Sequence, residues 1–297
     1  MSAVAKPARR ERRVALPGVE LYLLEAGEGP PLVLLHGWPQ HGGMWEPMID
    51  ELAADYRVLV PDLRGFRHSE APPGDYSKHS LTADILALLD SEAIEQATIV
   101  GHDWGGWIAW LLALEHPKRV ERFASLDVPP PRGIGASPAR IPRRLLYGSY
   151  QLAVALPFLG ERLVGSERAM RAILQGGTGR RTRLNEELLD DYARATAAPD
   201  TARASVALYR TFLTRELPAI ARGTYTVREL NVPGLVIMGG ESPITKMTGV
   251  PAEGPELEVA VIDDAGHFIV DEAPDQVLAL LRPFLAAGRT PRRDRRR

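Results

Sequence analysis

The sequence predicts an α/β protein: a mostly parallel central sheet with helices on both faces and a helical insertion. Three observations carry this. Short apolar, β-branched runs alternate with amphipathic stretches through most of the chain, as strands do when crossover helices bury both their faces. One junction, residues 97–114, is a strand, a glycine-flanked turn and a helix in direct succession. Between Pro129 and Arg228 the strand pattern stops, and helical patterns with glycine-rich turns such as Gln175-Gly176-Gly177-Thr178-Gly179 replace it.

In chain order, residues 14–26 alternate around Pro17-Gly18 and read as a hairpin. Residues 31–35, 57–60, 97–100, 122–126, 234–238 and 257–262 are apolar enough to be buried strands. Helical spacing covers residues 44–53, 80–89, 107–114 and 274–285. These boundaries divide the chain into a core of 14–128 and 229–288, a cap of 129–228, and basic flexible tails at 1–13 and 289–297.

Composition narrows the classes. A chain of 297 residues with 45% apolar and 25% charged residues buries a large core as one domain with an insertion. No apolar run reaches the roughly 20 residues of a membrane span, and the basic N-terminus has no secretory hydrophobic segment. The absence of cysteine excludes disulfides and thiolate metal sites and fits a reducing cytoplasm. Both tails are basic, yet the overall charge is −2, so the body is acidic and nucleic acid is not the expected partner. No metal-ligand spacing and no phosphate-binding glycine loop follows a strand, and no cofactor is expected.

The chemistry gathers at strand ends, where open α/β sheets place their sites. Gly101-His102-Asp103-Trp104-Gly105-Gly106 follows one strand. Small residues two before and two after the central side chain permit a turn in which a Cβ would collide with backbone. That geometry displays the central side chain above the sheet, as a nucleophile elbow does. Here the side chain is an aspartate, which points to an alkyl rather than an acyl ester. Its structural alternative is a helix N-cap. His36-Gly37-Trp38-Pro39 ends another strand, and Gly266-His267-Phe268 follows the last.

With these motifs the chain resembles the α/β-hydrolase fold, and within it the epoxide hydrolases. The resemblance rests on His36-Gly37-Trp38-Pro39-Gln40, residues 62–69 (Asp-Leu-Arg-Gly-Phe-Arg-His-Ser), the elbow, and Gly266-His267-Phe268 followed by Asp271-Glu272-Ala273-Pro274. It covers about residues 14–285. It implies Asp103 as nucleophile, His267 as the base that activates water, and the backbone N–H groups of Trp38 and Trp104 as the oxyanion hole. Trp38 and Trp104 would also line the pocket, whereas Trp107 and Trp110 read as core. His36 reads as a structural residue of its turn and His102 as a support behind the site.

The family takes two tyrosines from the cap to protonate the leaving alkoxide. Tyr209, before Arg210, matches the second. For the first, Tyr147 is expected, with Tyr150 as the alternative and as a substrate contact. The triad acid departs from the pattern: Ser242 stands where the family's aspartate is expected. Glu241, one position earlier beside the flexible Gly239-Gly240, ranks first as replacement, and Asp127, after an earlier strand, second. Arg67, where relatives carry glycine, either narrows the site or faces solvent, with solvent preferred. The expected substrate is a small hydrophobic epoxide, with a homodimer left open. Two rivals remain: a haloalkane or haloacid dehalogenase sharing the aspartate nucleophile, and a non-hydrolytic ligand-binding or biosynthetic protein on the same fold. A serine esterase is disfavoured, because no Gly-x-Ser-x-Gly occurs.

Overall fold

A computed structural model describes residues 7–131, 149–224 and 229–287. Eight strands form one sheet: β1 (Arg9–Leu16), β2 (Val19–Ala26), β3 (Pro31–Leu35), β4 (Arg57–Pro61), β5 (Ala97–His102), β6 (Val120–Leu126), β7 (Gly234–Gly239) and β8 (Leu257–Ile262). Their spatial order is β1-β2-β4-β3-β5-β6-β7-β8. The β1–β2 hairpin and its junction with β4 are antiparallel, and every pair from β4 to β8 is parallel. The exchange of β3 and β4 makes β3 and β5 neighbours. That brings the turn after β3 beside the turn after β5.

The apolar strands bury both faces. Val33 and Leu35 of β3, Leu59 of β4 and Val236 and Met238 of β7 join one core cluster. Leu32, Leu34, Val58, Val60, Leu235 and Ile237, their alternate neighbours, join the other. Helices α2 (Lys78–Ser91) and α3 (Trp104–Glu115) cover the first face, and α1 (Glu46–Leu52) and α12 (Pro274–Ala286) the second. Eleven of the twelve residues of α3 are buried, which suits a helix apolar on every side. Trp107 and Trp110 are core residues, as the sequence reading expects. Trp110 is 1% exposed, packs edge-on against Phe123 and donates its indole N–H to Val128 O. Trp110→Ala is expected to cost about 3–5 kcal/mol, read from the urea midpoint.

The N-terminal boundary needs correction. Residues 9–13 are not tail but the first half of β1, in register with residues 22–26. Three of the basic residues that read as a solvated arm are ion-paired. Arg12 and Arg57 share Glu25 and Glu92, Arg13 meets Glu20, and Arg9 reaches Glu46 and Asp50 of α1. The 289–297 tail lies outside the described residues.

Between β6 and β7 the described residues are helical, as expected: 149–155 (α4), α5 (Leu159–Val164), α6 (Glu167–Gly177), α7 (Glu186–Ala197), α8 (Pro199–Thr211) and α9 (Leu217–Ala221), with a π-helical turn at Phe212–Glu216. This insertion is fastened to the turns at the strand ends. Thr196 donates to Pro39 O, Tyr192 hydrogen-bonds Asp271, and Asp191 lies within ion-pair distance of His41 and Arg67. Arg67, partly exposed, is therefore tied to the insertion through Asp191. Two short helices follow β7 and β8: α10 (Pro243–Thr248) and α11 (Ile269–Glu272). No helix among the described residues is long and apolar enough to cross a membrane.

Candidate active site

β5 passes into α3 through a single residue, Asp103, at φ 50° and ψ −118°. A Cβ on Gly101 would lie 2.1 Å from Gly105 O, so the turn can be this tight only with glycine there. The Asp103 side chain makes no capping bond to α3, which removes the N-cap alternative. Its Oδ1 instead accepts the Trp38 N–H at 2.8 Å. The backbone that carries this donor passes so close that a Cβ on Gly37 would sit 2.3 Å from Asp103 Cβ. The Trp38–Pro39 peptide is cis. Trp104 opens α3 directly after Asp103, and the first N–H groups of a helix have no partner within it.

The other oxygen of Asp103, Oδ2, lies 3.6 Å from His267 Nε2. The opposite ring nitrogen, Nδ1, lies 2.6 Å from Asp127 Oδ2. Asp127 follows β6, at φ 55°. Its Oδ1 accepts the Gly239 N–H, and its Oδ2 accepts the Ser242 hydroxyl. The side chains of Asp103 and His267 are 16% and 12% exposed while that of Asp127 is sealed, so the first two are reachable from outside and the carboxylate behind them is not.

Electrostatics follow from this sandwich. Burial alone would strip His267 of its proton. The hydrogen bonds and charges of Asp103 and Asp127 outweigh it and push the imidazole up to about 10. Burial favours neutral Asp103, but His267, with help from the Trp38 N–H, holds the carboxyl below its usual range. His36 and His102, also buried, are neutral. Burial brings His36 to about 4 and His102 to about 3. His36 accepts the Leu63 N–H and bonds Gly37 O, and His102 donates to His267 O. Both support backbone, as the sequence reading expects.

The insertion adds an aromatic wall. The Trp38 ring stacks on Tyr150 and meets the edge of Tyr209, and its indole N–H donates to Ser205. Tyr209 also leans on Trp104. The Tyr150 and Tyr209 hydroxyls are 3.3 Å apart. Burial raises both phenols, Tyr209 the more strongly, so each keeps its proton at neutral pH. Among the described residues no group of three or more His, Asp or Glu side chains is arranged to hold a metal ion.

Residues 30–274 match the alpha/beta hydrolase fold family. Epoxide hydrolase A of Mycobacterium tuberculosis is 34% identical over 94% of this chain and 98% of its own. A soluble epoxide hydrolase of Corynebacterium is 28% identical over 91% and 94%. Among solved structures, epoxide hydrolase A of Mycobacterium thermoresistibile superposes with a TM-score of 0.78 at 30% identity, over 94% of this chain and 99% of that one. The chain belongs to the epoxide hydrolase branch of the α/β-hydrolases.

In this epoxide hydrolase family member the carboxylate beside His267 is where the sequence expectation fails. Glu241 does not approach His267. Its carboxylate accepts the N–H of Arg180 in the insertion. One position in the turn after β7 decides the direction: Ser242 points inward and is fully buried, and Glu241 points to the other side. The serine at the position where the aspartate is expected donates its hydroxyl to Asp127, the carboxylate that follows β6. Tyr147 lies outside the described residues, and Tyr150 is the residue that meets Tyr209.

Sequence reasoning missed Lys78. It is fully buried, paired with Glu216 at 2.8 Å, and its ammonium sits 4.0 Å from the centre of the Trp104 ring. A lysine in the first turn of an amphipathic helix carries no signal of such burial, because its partner lies 138 residues away.

Proposed function

We propose that this protein opens a hydrophobic epoxide to a vicinal diol through an alkyl ester on Asp103. Oδ1 is occupied by the Trp38 N–H, so Oδ2 is the attacking oxygen. As the Oδ2–carbon bond forms, the epoxide C–O bond breaks, and the alkoxide takes a proton from the Tyr150–Tyr209 pair. His267 then removes a proton from water, whose oxygen adds to Cγ of Asp103. The resulting charge develops on Oδ1, against the N–H groups of Trp38 and Trp104. Collapse breaks the Cγ–Oδ2 bond, and the diol leaves with Oδ2 and a proton from the imidazolium. In this reading the described helical residues between β6 and β7 form a cap over the catalytic core, and the cysteine-free sequence suits a reducing cytoplasm.

The observation that carries the reading is the phenol pair, with hydroxyls 3.3 Å apart, on rings that lean on the residue holding Asp103. An epoxide's leaving oxygen needs an acid. A halide does not, which places dehalogenation second. The test is diol formation from an aromatic epoxide, abolished by Asp103→Asn. Halide release from a haloalkane without diol formation would favour the rival.

The base is switched by the first step. In the free enzyme Asp103 and Asp127 together keep His267 protonated. Alkylation removes the Asp103 charge, so the imidazole pKa falls from about 10 and the ring sheds a proton. That proton balances the one the alkoxide took. Hydrolysis of the alkyl-enzyme is therefore expected to slow as pH falls, since it needs neutral imidazole. Alkylation stays level between about pH 5 and 9, because Asp103 is held low and the phenols high. Single-turnover rates of the two steps across pH check this, and identical profiles would contradict it.

A further inference from the structure

Four hydrogen-bond donors converge on one carboxylate that takes no part in the proposed chemistry. Glu272, at the end of α11, accepts the N–H groups of Gly266 and Phe268, each at 2.9 Å. These flank His267 on either side. It also accepts the Gly179 N–H at 2.8 Å and the Thr182 hydroxyl, both from the loop that joins α6 to α7. The same loop region takes the His267 N–H itself, at 2.7 Å on Gly177 O. The bond from Phe268 is an ordinary end-of-helix contact for α11. The other three satisfy no helix. They join the loop carrying the base to the insertion that carries Tyr209.

We infer that Glu272 is a positioning residue that fixes the His267 ring through the backbone on either side of it. The inference rests on the proposed two-step mechanism, in which only the second step uses His267 as base. The first step depends on Asp103, whose position is set by the elbow and the Trp38 N–H and whose ionised state needs the charge of His267 nearby rather than the exact orientation of its ring. A displacement of about 1 Å at a reacting group can cost on the order of 10²-fold in rate. The loss of Glu272 therefore falls on hydrolysis and spares alkylation.

The test is transient kinetics on the full-length protein with an aromatic epoxide, following alkyl-enzyme by rapid quench and intact mass. In Glu272→Gln the amide turns donors toward donors. Hydrolysis is expected to slow about 10- to 100-fold and alkylation to change less than about 2-fold, so alkyl-enzyme accumulates. Thr182→Val removes only the hydroxyl bond from the insertion side, is expected to shift the ratio of the two steps in the same direction by a smaller factor, and serves if Glu272→Gln does not fold. Equal losses in both steps, or an unchanged ratio in a folded variant, would overturn the inference. Failure of the wild-type protein to form any alkyl-enzyme would instead overturn the mechanism on which it rests.

Discussion

Asp127→Asn is expected to lower diol turnover by about 10⁴-fold, the size of the loss when the carboxylate of a Ser-His-Asp triad is amidated. The reason is local. His267 Nδ1 lies 2.6 Å from Asp127 Oδ2, and that contact keeps a proton on Nδ1 and leaves Nε2 free to act on water. An asparagine there presents an amide N–H to the ring and selects the wrong tautomer. Alkylation should survive, because Asp103 keeps its Trp38 donor, so the variant is expected to stall as an alkyl-enzyme. Glu241→Gln, the control at the position favoured by the sequence, should change turnover by less than about 2-fold, as expected for a site away from the chemistry. Steady-state diol formation and intact mass after mixing measure both. A severe defect in Glu241→Gln with a mild one in Asp127→Asn would reverse the assignment.

The opposite half of the cycle should respond to the phenols. Removing both hydroxyls, as Tyr150→Phe with Tyr209→Phe, is expected to slow alkylation by about 10² to 10⁴-fold, the usual contribution of a positioned general acid. Hydrolysis of any ester that forms should be little affected, since no phenol faces the attacking water in the proposed sequence. Each single variant should lose less, because the two hydroxyls are 3.3 Å apart and either can reach an alkoxide between them. Both rings remain to pack on Trp38, so the folded state should be kept. The rate of alkyl-enzyme formation in a single turnover distinguishes this from a packing defect, which would slow both steps.

These two experiments bear on parts of the molecule that were unequally legible in the sequence. The strand runs, the elbow around Asp103 and the order of Asp103 before His267 are local signals, each carried by a few adjacent residues, and the structure follows them. The two-sided core is equally local, because alternate strand residues need only be apolar. The carboxylate beside His267 was not readable in this way. Glu241 and Asp127 sit at the ends of adjacent strands, and which one meets His267 depends on the direction of a turn set by Ser242 and on a bond from Gly239. Long-range pairing also hid Lys78 under Trp104, and three basic residues of β1 proved to be ion-paired. Glu272 looked like part of a family motif in sequence, and its bonds from Gly179 and Thr182 become apparent only when the insertion is folded against α11.

The central claim is that Asp103 becomes covalently esterified and gives its own oxygen to the diol. The most direct measurement is a single turnover, with enzyme in excess over epoxide, in water enriched in heavy oxygen. Oδ2 leaves with the product and water oxygen replaces it on Cγ. The diol should therefore carry no label, and the peptide containing Asp103 should carry one heavy oxygen. A labelled diol with an unlabelled Asp103 peptide would mean direct attack by water and would contradict the account.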